Sequence, residues 1–144
     1  MFVMDYGEQL LKIYTDGASR GNPGPASYGF LLVFDDEGIV HEESGYIGKT
    51  TNNRAEYRAV INALEKAKDF HDGKVELYSD SQLLVRQMQG RWKVKSPEIR
   101  KLYKIARKRT EKFESVEFKH VSRETKYVSK ADSLCNEKLD EKGY

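Results

Sequence analysis

Four acidic residues stand where carboxylates commonly do chemistry. Asp16 follows the apolar run LLKIYT and leads into a glycine-rich segment. Asp80 follows KVELYS and leads into a helical pattern. In open α/β sheets, ligands gather at such strand ends. Glu56 shares a helical face with Ala59, Ala63 and Ala67, and Asp132 shares one with Val128, Cys135 and Leu139. A carboxylate on an apolar stripe is costly unless it is paired or bound to a cation. Plainer roles are also open: Asp16 as a turn former, Asp80 as a helix N-cap, Glu56 as an early-helix acid favoured by the dipole. If all four converge, their repulsion calls for a hard divalent cation. Magnesium binds through few carboxylates and adds substrate phosphates to its shell. Two-metal phosphodiester hydrolysis works this way, with ions about 4 Å apart.

The elements that must position these acids follow from periodicity and punctuation. Residues 10–15 read as a strand ending at Asp16, and Gly17 to Pro25 as a turn. Residues 28–34 and 39–47 read as an antiparallel hairpin around Asp36-Glu37-Gly38. Asn52 or Asn53 is expected to cap a helix to about Asp69, with Ala59, Val60, Ala63, Leu64 and Ala67 facing the core. A strand over 74–79 precedes a helix that starts at Asp80-Ser81 and stops at Gly90. Ser96-Pro97-Glu98 opens a helix to about Phe113, residues 116–121 form a strand, and residues 129–141 form a last helix. A hairpin unit followed by βαβ units implies an α/β fold with a five-stranded mixed sheet, three antiparallel strands and then parallel ones, flanked by helices.

The 144 residues suit one domain over 1–144, with residues 1–9 as a lead-in. Cys135 is the only cysteine, which excludes an internal disulfide and fits a reducing, cytoplasmic setting. The sequence MFVMDYGEQ lacks the basic and apolar segments of a secretory signal, and no apolar run is long enough for a membrane. The formal net charge is only +2, but it is unevenly spread. Acids cluster at Asp35, Asp36, Glu37, Glu42 and Glu43, whereas Lys93 to Lys112 is dense in lysine and arginine. That asymmetry suggests either a polyanionic partner or a solvated basic helix face. His41 and His71 have no evident partners and read as surface residues.

The strings YTDGASRGNPGPASYG, TTNNRAEYRAVINAL and LYSDSQLLVRQ resemble the three motif blocks of type 1 ribonuclease H, and HVSRETKYVSKADSLCNEKL resembles its C-terminal segment. The resemblance covers nearly the whole chain after Leu10. It implies a ribonuclease H-like fold and metal-dependent cleavage of the RNA strand of RNA/DNA hybrids, leaving 5′-phosphate and 3′-hydroxyl ends. It carries the metal ligands onto Asp16, Glu56, Asp80 and Asp132, with two Mg2+ ions, or Mn2+ in their place. Asp16 would bridge both ions, Glu56 and Asp80 would hold the leaving-group side, and Asp132 the side of the attacking water. Asn22, Asn53 and Gln82 would line the minor groove, where amides suit 2′-hydroxyls and base edges. Thr51 and the Asn53 backbone, in the block that also holds Asn52, would bind a DNA phosphate. Trp92 packs on a DNA sugar or is a packed tryptophan of the body; Arg123 acts near the scissile phosphate or is an exposed loop arginine.

Two departures point to a minimal, archaeal-like branch: Gly90 to Ser96 leaves little room for a basic handle, and the loop SRETKY lacks the family's histidine. No N-terminal hybrid-binding module is expected, and the chain is expected to be a monomer. Double-stranded RNA is a further substrate of some relatives. Other classes are a non-catalytic hybrid-binding protein and a DNA-processing nuclease on the same fold.

Overall fold

Every strand places successive side chains on opposite faces of the sheet, and here both faces are covered. The computed structural model describes residues 9–144, so the lead-in falls outside the described residues apart from Gln9. In β1 (Leu11–Ser19) and β2 (Gly24–Phe34), Ile13, Phe30, Leu32 and Phe34 face one layer while Tyr14, Leu31 and Val33 face the other. The near-continuous apolar runs of these strands follow from that double covering. The sheet order is β3-β2-β1-β4-β5, with β3 (Gly38–Thr50), β4 (Lys74–Ser79) and β5 (Ser115–His120). β1, β2 and β3 are antiparallel, and β4 and β5 run parallel to β1, which is the mixed sheet expected.

Helix α1 (Asn52–Ala67) lays Val60, Ala63 and Leu64 on one face of the sheet, and α3 (Pro97–Thr110) packs beside it through Ile99, Leu102 and Ala106. Short α2 (Gln82–Met88) joins the same layer through Leu84, Val85 and Met88. Its end is set by Gly90, at φ +77°. Burying each such Leu or Val contributes about 1.5–3 kcal/mol. Helix α4 (Lys126–Glu141) covers the opposite face through Val128, Ala131, Cys135 and Leu139.

Several expectations are corrected. β1 runs through Asp16 to Ser19, because Asp16 to Ser19 pair in register with Gly29 to Ala26. The turn shrinks to residues 20–23. Thr51, and neither asparagine, caps α1 by accepting the Arg54 N–H at 3.3 Å. Ser81 caps α2 by accepting the Leu84 N–H at 3.2 Å, which removes capping as an explanation of Asp80. α4 begins at Lys126, a turn before the expected Ser129. His71 is buried, with Nε2 3.2 Å from the Lys74 carbonyl and its ring edge-on to Phe34. His41 is half-buried against Phe30 and Phe70, its Nε2 3.0 Å from Glu43.

Close seating of α4 depends on Gly29, the β2 partner of Asp16. A Cβ there would lie 2.7 Å from the Ala131 carbonyl oxygen and 3.2 Å from Cys135 Sγ. The Ser27 hydroxyl, two residues away, donates to the Cys135 carbonyl at 2.8 Å. Gly29→Ala is therefore expected to lower stability by about 1–3 kcal/mol. A chemical denaturation midpoint equal to the parent's would contradict this seating.

Candidate active site

β1 outruns its parallel neighbour. β4 pairs with Leu11 to Tyr14 only and ends at Ser79, whereas β1 runs on to Ser19. Asp16 lies just past that point on β1, and Asp80 just past the end of β4. Into the gap comes the second turn of α1, carrying Glu56. Its approach is so close that a Cβ on Gly17 would sit 2.3 Å from the Ala55 carbonyl carbon. Only glycine fits after Asp16, because the contact is with backbone.

One carboxylate oxygen each from Asp16, Glu56 and Asp80 lies within 4.8 Å of the others. Asp16 and Glu56 are both about 5% exposed. Glu56 is held from both sides: the Gly17 N–H donates to Oε1 at 2.7 Å, and the Ser79 hydroxyl donates to Oε2 at 3.4 Å. Asp132, half-buried on α4, stands outside that group of three but adds to the upward push on Asp16. Arg123, exposed in the loop before α4, donates from Nε to Asp80 Oδ2 at 3.1 Å. Neither Gly17, Ser79 nor His120 was foreseen as part of the site. Ser79 also accepts the Ser81 N–H at 3.0 Å, and His120 Nε2 lies 3.2 Å from the Asp80 carbonyl. The residues flanking Asp16 and Asp80 were the available signal: the glycine of TDG and the serines of SDS.

Burial pushes Asp16 far above the usual carboxylate range, and the neighbouring Glu56 and Asp132 push it further. Burial likewise raises Glu56, to about 7, against the hydrogen bonds that favour its charge. The two titrate as a unit. Such a group binds protons or a cation. An all-oxygen donor set of three carboxylates fits a hard divalent ion, and among the described residues no thiolate or imidazole joins it.

The other expected residues lie around this group. Asn22 Oδ1 accepts the Asn52 N–H at 2.9 Å, tying the 20–23 turn to the start of α1 and leaving the Asn22 amide hydrogens free to donate. Asn52 and Gln82 are exposed, Thr51 and Asn53 half-buried. Asn53 and Trp92 border one groove of about 570 Å³. Trp92 is 45% exposed, so it is no part of the core. That groove shares no lining residue with the three clustered carboxylates.

The family profile described as reverse transcriptase-like matches residues 14–138. A ribonuclease HI of Halobacterium salinarum is 48% identical over 128 residues, spanning 89% of this chain and 63% of its own length. The crystal structure of RNase H1 from the same halophilic archaeon matches with a TM-score of 0.87 and 47% identity, over 92% of this chain and 98% of that one. The chain belongs to the type 1 ribonuclease H family. LC11-RNase H1, solved in complex with an RNA/DNA hybrid, matches at a TM-score of 0.85 and 40% identity, over 93% of this chain and 99% of that one. This member of the family passes from α2 to α3 through residues 89–96 without a helix between, so the site lacks a handle there. The loop from β5 to α4 brings Arg123, and no histidine, to the carboxylates.

The raised acids link stability to pH. In the unfolded chain they ionise near 4; in the folded state they keep protons to about 7 or above. Over that interval the folded state binds more protons, so stability falls as pH rises. Thermal melts in chelator are expected to show the parent losing several degrees between pH 5 and pH 8, roughly the span of those values. Asp16→Asn should flatten that loss and melt above the parent at pH 8. Millimolar divalent cation should raise the parent and leave the variant nearly unmoved. A parent melting curve independent of both pH and cation would refute the shared titration.

Proposed function

We propose that this chain is an endoribonuclease that hydrolyses the RNA strand of RNA/DNA hybrids to 5′-phosphate and 3′-hydroxyl ends. The observation that carries the proposal is the convergence of Asp16, Glu56 and Asp80 oxygens within 4.8 Å where β1 outruns β4. The substrate follows from membership of the type 1 family and from the hybrid-bound relative at 40% identity. We take residues 1–144 to be one catalytic domain, acting as a monomer in the cytoplasm.

Asp16, Glu56, Asp80 and Asp132 would hold Mg2+, two ions with substrate, or Mn2+ in their place. Bound there, the ions lower the pKa of water and offset charge on the phosphate oxygens. The protein's own part is to hold the ligands and the strand. Gly17 and Ser79 fix the Glu56 carboxylate, so its two oxygens keep their aim. Arg123 keeps a guanidinium at the mouth of the site, where it attracts the scissile phosphate. Asn22 offers free amide hydrogens to the hybrid's 2′-hydroxyls and base edges, and Gln82, exposed at the start of α2, does the same. Thr51, Asn52 and Asn53 present the first turn of α1 to a DNA-strand phosphate. Trp92, beyond Asn53, offers a flat apolar face to a sugar.

The test is digestion of labelled hybrid, duplex RNA, duplex DNA and single strands with Mg2+ or Mn2+. Hybrid should be cut and duplex DNA left intact. Duplex RNA cleavage would widen the substrate class, and duplex DNA cleavage would move the chain to the DNA-processing enzymes. Asp80→Asn is expected to lose on the order of a hundredfold in rate, about 3 kcal/mol of transition-state stabilisation. A variant as fast as the parent would sink the mechanism.

A further inference from the structure

The proposed reaction leaves the basic outer face of α3 without a role. Three adjoining depressions lead to it. The groove of about 570 Å³ beside Asn53 shares Trp92 and Lys93 with a second, of about 610 Å³, that continues to Arg100, Tyr103 and Lys104. The second shares Tyr103 and Lys104 with a third, of about 400 Å³, that runs on to Arg107 and Lys108. Shared walls make them one track, from the α1 N-terminus along α3. Fourteen helical residues span about 21 Å, room for roughly four nucleotides of single strand.

The charge along the track is nearly all of one sign. Glu111 is the single acid lining its two outer parts. Lys104 and Lys108 are exposed and have no ion-pair partner among the described residues. Arg100 donates to the Val94 carbonyl at 2.9 Å, and Arg107 to the Met88 carbonyl at 3.0 Å. Those bonds anchor both guanidiniums beside the track and leave most of their donors unspent. Trp92 and half-buried Tyr103 add aromatic surface between the cations. A merely solvated face needs neither the depressions nor the aromatic walls. Cations interleaved with aromatics are what a single strand requires, phosphates for the one and stacked bases for the other.

We propose that the outer track along α3 binds a single-stranded nucleic-acid segment running on from the bound hybrid. Its phosphates lie on Arg100, Lys104 and Lys108, and its bases stack on Tyr103, past Trp92, whose face at the head of the track takes the last sugar of the hybrid's DNA strand. The hybrid in this statement rests on the proposed function; the track itself can be tested without it.

Trp92 is the only tryptophan, so its fluorescence reports on the track directly. Oligothymidylate is expected to quench it in the intact protein, more weakly as salt rises. The K104E/K108E variant should lower the log–log salt slope by about 1.4, two phosphate contacts at about 0.7 each. Hybrids that are blunt, tailed with a single strand, or extended by the same length of duplex are then compared. The parent should bind the tailed form about fivefold or more tighter than the blunt one, and the variant by less than about twofold. If the acidic variant melts below the parent, K104Q/K108Q carries the same comparison. A parent without quench or tail advantage, or a variant that keeps the full advantage, overturns the proposal. An equal gain from the duplex extension overturns the single-strand assignment. A parent that ignores blunt hybrid yet is quenched by oligothymidylate removes the hybrid function and leaves the track standing.

Discussion

Holding carboxylates together out of water is the constraint around which this protein is built. Asp16 and Glu56 are almost wholly buried, and with Asp80 their oxygens crowd within 4.8 Å. Like charges so placed cannot all ionise without a counter-charge. The apolar layers make the arrangement hold. Helix α1 is pressed on the sheet by Val60, Ala63 and Leu64, and its second turn cannot retreat without opening that layer. Gly17 and Gly29 remove the side chains that would keep α1 and α4 at ordinary distance. The energy of a well-packed core is thereby opposed to the electrostatic cost of the site.

The same opposition explains the polar contacts at the site. Gly17 N–H and the Ser79 hydroxyl favour the charged form of Glu56 while burial opposes it. Arg123 neutralises Asp80 from the solvent side, where the guanidinium costs little to desolvate. The acids therefore sit in a graded field: protonated or cation-bound at the buried end, ion-paired at the rim. Away from the site the charge reverses, and α3 turns Lys101, Lys104 and Lys108 to solvent. A polyanion meets a cationic flank before it reaches the carboxylates, a division of charge that favours its approach.

The sheet topology and the helix order were legible because apolar periodicity is local. The strand over 74–79 matches the sequence expectation, and the five residues expected on the core face of α1 are all buried, with Ala55, Tyr57 and Ile61 buried beside them. Errors arose where tertiary pairing overrode local preference. A glycine-rich segment normally reads as a turn, yet Gly17 to Ser19 are drawn into β1 by the register with β2. Asparagine and threonine cap helices almost equally well, and the chain path chose Thr51. His71 read as a surface residue because no partner is evident in the sequence around it; its neighbours in space are Phe34 and the Lys74 carbonyl.

By itself the sequence determined the residue types and their order: Asp16, Glu56, Asp80 and Asp132 on strand, helix, strand end and helix, within blocks of one family. Hydrophobic patterning and motif spacing are properties of the chain, so they could be read along it. Tertiary structure alone decided that Asp16, Glu56 and Asp80 form the tight group while Asp132 stands beside it. It also decided that Arg123 reaches Asp80 across 43 positions and that Trp92 stays exposed at the head of a basic track. Those outcomes depend on how far β1 outruns β4 and how closely α1 and α4 seat. Such distances are set by packing between segments remote in sequence, which no local pattern encodes.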